Sequence, residues 1–126
     1  MKVLVIAAGG GAGALLRYGL AGWAQGLTHG AFPVGTAVVN VLGCLLIGFF
    51  GVALAGPLAV REEIRLAVLV GLLGGFTTFS TFGFETLLLL NDGQWRPALA
   101  NVLLSNCLGL IAAWGGYRLA ERVYGV

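Results

Sequence analysis

Residues Gly71 to Glu85 read GLLGGFTTFSTFGFE, a stretch that places four glycines, four hydroxyl residues and four phenylalanines within a run otherwise apolar enough for a membrane interior. Backbone polar groups left unpaired in lipid cost several kcal/mol each, on the order of a full hydrogen bond. A chain that breaks its helix here must therefore turn the freed groups toward protein or a polar pathway. The segment predicts a membrane-spanning helix with an interruption that serves a function.

Composition outside the segment agrees with a membrane protein. Of the 126 residues 59% are hydrophobic and only 10% charged, and the mean hydropathy is +0.97, far from soluble globular norms. Four charge-poor runs are each long enough to span as helices: Val3 to Leu27, Pro33 to Gly56, Leu66 to Leu90, and Pro97 to Tyr117. The expected architecture is one all-α integral membrane domain over residues 1–126, with no soluble catalytic part. The first run is longer than the apolar core of a secretory leader and lacks a clear small-residue cleavage site, so it reads as a retained helix. Short connections at Thr28 to Gly30, Pro57 to Arg65 and Asn91 to Arg96 make sequential helices antiparallel neighbours, and Asp92-Gly93 marks a turn.

The chain has 22 glycines, and small residues let membrane helices approach closely where hydrophobicity supplies little drive to associate. The pairs Gly9/Gly13 and Gly22/Gly26 read as packing positions. The pair Gly71/Gly75 is different, because Thr77, Thr78, Ser80 and Thr81 adjoin it and hydroxyls can re-satisfy a broken backbone. Four slender helices do not readily enclose a sealed pore, which points to a homo-oligomer, most simply a dimer.

Ionisable residues at membrane depth are functional candidates by default. Arg17 either snorkels to the interface or lines an aqueous vestibule that attracts an anion. Glu85 either pairs with Arg17 or accepts hydrogen bonds from hydroxyls beside the interruption. Asn40 is the conspicuous polar group of the second helix. Asn101 and Ser105 share a face of the fourth helix, with Asn106 adjacent, and suggest a polar track. Phe79 and Phe82 share a face if the helix resumes, and phenyl ring edges contact anions without binding them tightly. Cys44 and Cys107 both fall within spans and read as buried thiols. His29 stands alone, and no HExxH, GxSxG or Walker pattern is present, so an enzyme is not expected.

Three segments, GGGAGALLRY (Gly9 to Tyr18), GTAVVNVLGCLLIG (Gly35 to Gly48) and GLLGGFTTFSTFGFE, together resemble the CrcB/Fluc family of microbial fluoride channels. The resemblance extends over all four helices. It implies a passive, fluoride-selective channel that exports cytoplasmic fluoride, built as a dual-topology antiparallel homodimer around a broken third helix. By motif match Phe79 and Phe82 line the pores, Asn40 is the pore asparagine, and Ser80 and Thr81 contribute hydroxyls. The same match makes the backbone carbonyls of Gly74 and Thr77 ligands of a structural Na⁺ that is not transported. Arg17 and Glu85 fall on family-typical positions, as vestibule or supporting residues with Asn101 and Ser105. Asn101 departs from the tyrosine of some relatives. The implied partners are fluoride, membrane lipid and a second copy of the chain, with no nucleic acid, in the cell membrane of a bacterium (inner or plasma membrane).

Small multidrug/proton antiporters are the alternative, since they also dimerise from about four short helices. They depend on a carboxylate in the first helix, where this chain has Arg17. A noncatalytic assembly subunit would explain packing but not the polar interruption. Orientation has two readings. Lys2, Arg61, Arg65, Arg118 and Arg122 collect on one side against Arg96 on the other, which predicts cytoplasmic termini; an antiparallel dimer of one gene product requires both insertions.

Overall fold

The computed structural model describes residues 1–126 and is entirely helical, with four segments long and apolar enough to cross a membrane: Lys2–Gly26, Val34–Ala53, Glu62–Asn91 and Trp95–Tyr124. The first, second and fourth are single helices, α1 (Lys2–Gly26), α2 (Val34–Ala53) and, last in the chain, α6 (Trp95–Tyr124). The third is composite. It opens as α3 (Glu62–Leu66), widens into a π-helical stretch π1 (Ala67–Leu72), tightens again as α4 (Leu73–Phe76), and continues after Thr77 and Thr78 as α5 (Phe79–Asn91).

The boundaries that differ most from the sequence reading are two. The connection expected over Pro57 to Arg65 is already helical from Glu62, because Glu62 and Glu63 favour a helix N-terminus and Lys2 Nζ meets Glu62 Oε2 at 2.8 Å. The fourth helix runs past Tyr117 to Tyr124, where Gly125 caps it at φ 70°. Its Arg118 and Glu121, three apart, pair at 2.8 Å and sustain the extra turns. The Asp92-Gly93 turn is present, with Gly93 at φ 72°, a conformation that costs glycine nothing.

Contacts fix which ends lie together. Lys2 and Glu62 join the start of α1 to the start of α3, and the rings of Phe49 and Tyr124, 6.1 Å apart, join the ends of α2 and α6. Packing relies on missing side chains. A Cβ on Gly9 would lie 2.4 Å from the Ala67 carbonyl oxygen, and one on Gly13 would lie 2.1 Å from that of Leu72, so α1 lies directly against the backbone of π1. The α2–α6 contact uses the same device: Gly48 faces the Ala113 carbonyl and Gly116 that of Leu45, with Cβ positions 2.1 and 2.0 Å away. Gly22 and Gly26, read as a packing pair, have open space around them within the chain.

Candidate pore and ion site

Thr77 (φ −88°, ψ 157°) and Thr78 (φ −149°, ψ 114°) are extended between α4 and α5. The amides of Thr78 to Thr81 lose their helical acceptors here, and two of them find side-chain acceptors. The Thr78 N–H, which would reach the Gly74 carbonyl in a continuous helix, donates to Asn40 Oδ1 at 2.7 Å. The Thr81 N–H, which would reach Thr77, donates to Thr78 Oγ1 at 3.2 Å, making Thr78 the N-cap of α5. Asn40 completes the arrangement by donating from Nδ2 to the Thr78 carbonyl at 2.9 Å. One side-chain amide thus satisfies both polar groups of Thr78, and its orientation is fixed because the oxygen faces an N–H and the nitrogen a carbonyl.

The carbonyls from Gly74 to Thr77 lose their helical donors at the interruption, those of Gly74 and Thr77 among them. That of Thr77 accepts a 3.3 Å hydrogen bond from Arg17 Nη1. Arg17 is therefore anchored at the interruption, and the pairing with Glu85 considered from sequence does not form. Glu85 accepts from Thr36 Oγ1 at 2.8 Å, while its Oε2 is buried without a hydrogen-bond partner. Thr36 lies one helical turn before Asn40, so α2 presents Thr36, Asn40 and Cys44 along one face.

A cavity of about 290 Å³ opens beside the interruption, bounded by Asn40, Cys44, Phe79, Phe82, Ser105 and Asn106 together with Gly74 and Thr77. The Phe79 and Phe82 rings stand 5.4 Å apart between centroids at 43°. Phe82 is buried, whereas Phe79 is 80% exposed in the single chain. On the far wall Ser105 Oγ donates to Asn101 Oδ1 at 3.2 Å, Asn101 Nδ2 donates to Thr86 Oγ1 at 2.9 Å, and Thr86 donates to the Phe82 carbonyl at 2.7 Å. Asn101, 1% exposed, fastens α6 to α5 rather than facing the cavity.

Of the residues singled out in the sequence, the cavity brings together Asn40, Phe79, Phe82 and Ser105, with Gly74 and Thr77 at its edge. Ser80 and Thr81 are exposed and lie outside it, tied to Thr78 Oγ1 at 3.4 and 2.9 Å. Arg17, Glu85 and Asn101 act through neighbours. Sequence reading gave no part to Thr36, Thr78 or Thr86 individually and took Cys44 as a buried thiol. The turn-by-turn spacing from Asn40 pointed to Thr36 and Cys44, and Thr78 stands three residues before Thr81 in N-cap position; nothing local marked Thr86.

The arrangement offers weak donors, ring edges and backbone carbonyls around a narrow space. A family model described as "CrcB-like protein, Camphor Resistance (CrcB)" matches residues 4–117. The chain belongs to the CrcB family. It is 48% identical over 120 residues to the "Fluoride-specific ion channel FluC 2" of Symbiobacterium thermophilum, covering 93% of this chain and 95% of that one. The "Fluoride-specific ion channel FluC" of Chloroflexus aurantiacus is 47% identical over 120 residues, covering 95% of each chain. That of Geobacter sulfurreducens is 45% identical over 121 residues, with 96% and 98% covered. With its four spans, this CrcB-family chain is a multi-pass protein of the cell membrane.

Proposed function

We propose that this protein is a fluoride-selective channel, not an enzyme, that lets cytoplasmic fluoride leave the cell down its electrochemical gradient. The observation that carries the reading is the cavity at the interrupted third span, lined by Asn40, which spends one Nδ2 N–H on Thr78 and has a second without a partner in the chain. Fluoride is small and strongly hydrated, so a selective path replaces its water with several modest donors and stays too narrow for larger halides. The second Asn40 N–H and the positive edges of Phe79 and Phe82 are such donors. None carries a full charge, which favours exit as well as entry. Arg17, held at the interruption by the Thr77 carbonyl, adds a positive field that draws anions toward it.

The working unit is an antiparallel homodimer of chains inserted in both orientations, with the broken third span at its axis. Phe79 and Gly74 support this, because both are exposed in one chain while lining the cavity; a second copy would complete the wall. Na⁺ fits this axis. The Gly74 and Thr77 carbonyls have lost their helical donors to Asn40 and Thr78; the Thr77 oxygen keeps a second lone pair beside its bond from Arg17, and hard oxygens of this kind suit a hard cation. Two carbonyls from each of two copies would hold the ion, which supplies a fixed positive field and is not transported.

Efflux of fluoride and of chloride from liposomes containing the purified protein tests the reading. Fluoride should leave far faster than chloride with no proton gradient or nucleotide present. Equal permeation of the two halides, or fluoride movement strictly coupled to protons, would overturn it and in the second case favour an exchanger.

A further inference from the structure

Helix α6 spans 30 residues, about 45 Å at 1.5 Å per residue, well beyond a hydrocarbon core of about 30 Å. Its tryptophans show where the surplus lies. Trp95 and Trp114 are 68% and 65% exposed and lie about 28 Å apart along the axis, the separation of the two interfaces at which indole rings settle. Arg118 and Arg122 follow Trp114 at successive four-residue intervals, so all three lie along one stripe of the helix, with the arginines about 6 and 12 Å beyond the ring. That depth is the headgroup layer.

The stripe borders a groove of about 700 Å³ whose walls are Trp114, Gly115, Arg118, Leu119, Glu121 and Arg122. Gly115 contributes no side chain, and a Cβ there would meet nothing within 4 Å, leaving room beside the indole. Arg118 is shared with Glu121 at 2.8 Å, whereas Arg122 makes no ion pair. The groove therefore has an apolar floor at the level of acyl carbonyls and a net positive mouth one to two turns further out. The opposite end of α6 has Trp95 beside a single arginine, Arg96.

We propose that this groove seats an anionic glycerophospholipid, with the phosphodiester on Arg122 and Arg118 and the upper acyl chain against Trp114. A zwitterionic lipid offers the same phosphate but cancels it with its own ammonium, so the site selects for net negative charge. A basic residue near an anionic surface strengthens lipid attraction about fivefold. The two arginines less Glu121 therefore set a preference of about fivefold for phosphatidylglycerol over phosphatidylcholine.

The experiment uses the full chain carrying Trp23→Phe and Trp95→Phe, which leaves Trp114 as the fluorophore. It is reconstituted in phosphatidylcholine vesicles containing either acyl-brominated phosphatidylglycerol or acyl-brominated phosphatidylcholine. Quenching of Trp114 should give an association ratio of about five between the two brominated lipids. The ratio should fall to about one with Arg118→Gln and Arg122→Gln together and stay unchanged with Arg96→Gln. Equal quenching in the parent overturns the proposal without any arginine substitution, as does a ratio that survives the double change. Inorganic phosphate at tens of millimolar should leave the ratio intact; its abolition would assign the groove to free phosphate and defeat the lipid assignment. None of these readouts depends on ion conduction, so the inference stands or falls separately from the channel reading.

Discussion

Replacing Asn40 by Asp separates the two duties of that amide. Asp has the same shape and keeps an oxygen for the Thr78 N–H, which Asn40 Oδ1 accepts at 2.7 Å. It loses the donor to the Thr78 carbonyl at 2.9 Å and sets two oxygens against each other. An acceptor left without its partner in a partly buried site costs about 1–3 kcal/mol, which a dimer sealed by close helix packing should tolerate. The effect on an anion is larger in kinetic consequence. A carboxylate about 6 Å from fluoride, at an effective dielectric near 20, repels it by about 3 kcal/mol, roughly a hundredfold in occupancy. Asn40→Ala differs in kind: it strands both polar groups of Thr78, about 2–6 kcal/mol together, and should compromise folding. The assay is fluoride efflux from proteoliposomes, read by a fluoride electrode, with assembly followed by size-exclusion chromatography in detergent. Asn40→Asp should assemble and conduct about a hundredfold less. An assembled Asp variant with flux within threefold of the parent would refute the donor role, and an Ala variant as stable as the parent would refute the clamp.

Phe79→Ile and Phe82→Ile should each lower fluoride flux while the dimer persists, because the side chains stay apolar and only the ring quadrupole is removed; parental flux in both would reduce the rings to packing. Removing sodium from both sides of the membrane should lower flux. Thr77→Ser should preserve the sodium dependence, since the proposed ligands are backbone atoms, whereas Gly74→Leu should disturb assembly; sodium-independent flux of the parent would count against the ion. Gly13→Ala should lower the thermal unfolding midpoint in detergent by an overpacking cost of about 1–3 kcal/mol, since its Cβ would lie 2.1 Å from the Leu72 carbonyl oxygen. Gly19→Ala, with nothing within 4 Å, should be close to neutral, and equal midpoints for the two would remove the α1–π1 seam from the account.

Much of the fold was legible because a bilayer leaves few choices. Uncharged runs of about 20 residues can satisfy their own backbone only as helices, so the four spans and their antiparallel order follow from composition and connection length. The same reasoning located the polar residues of Gly71 to Glu85 and named Asn40, Phe79, Phe82 and Ser105 as candidates, since period and residue type are local properties. Helix ends were less legible: Lys2 reaches Glu62, at the start of α3, from another helix, and no local pattern encodes that pairing. Tertiary structure alone decided who satisfies whom. Asn40, 38 residues before Thr78 in sequence, takes both of its backbone groups; Arg17 goes to the Thr77 carbonyl and leaves Glu85 to Thr36; Asn101 turns to Thr86. A sequence states which groups must be paired in a dry interior, because desolvation penalises each one wherever it sits. The choice of partner depends on which helix faces meet at bonding distance, and here that is set by glycine seams that let the backbones of α1 and π1, and of α2 and α6, touch.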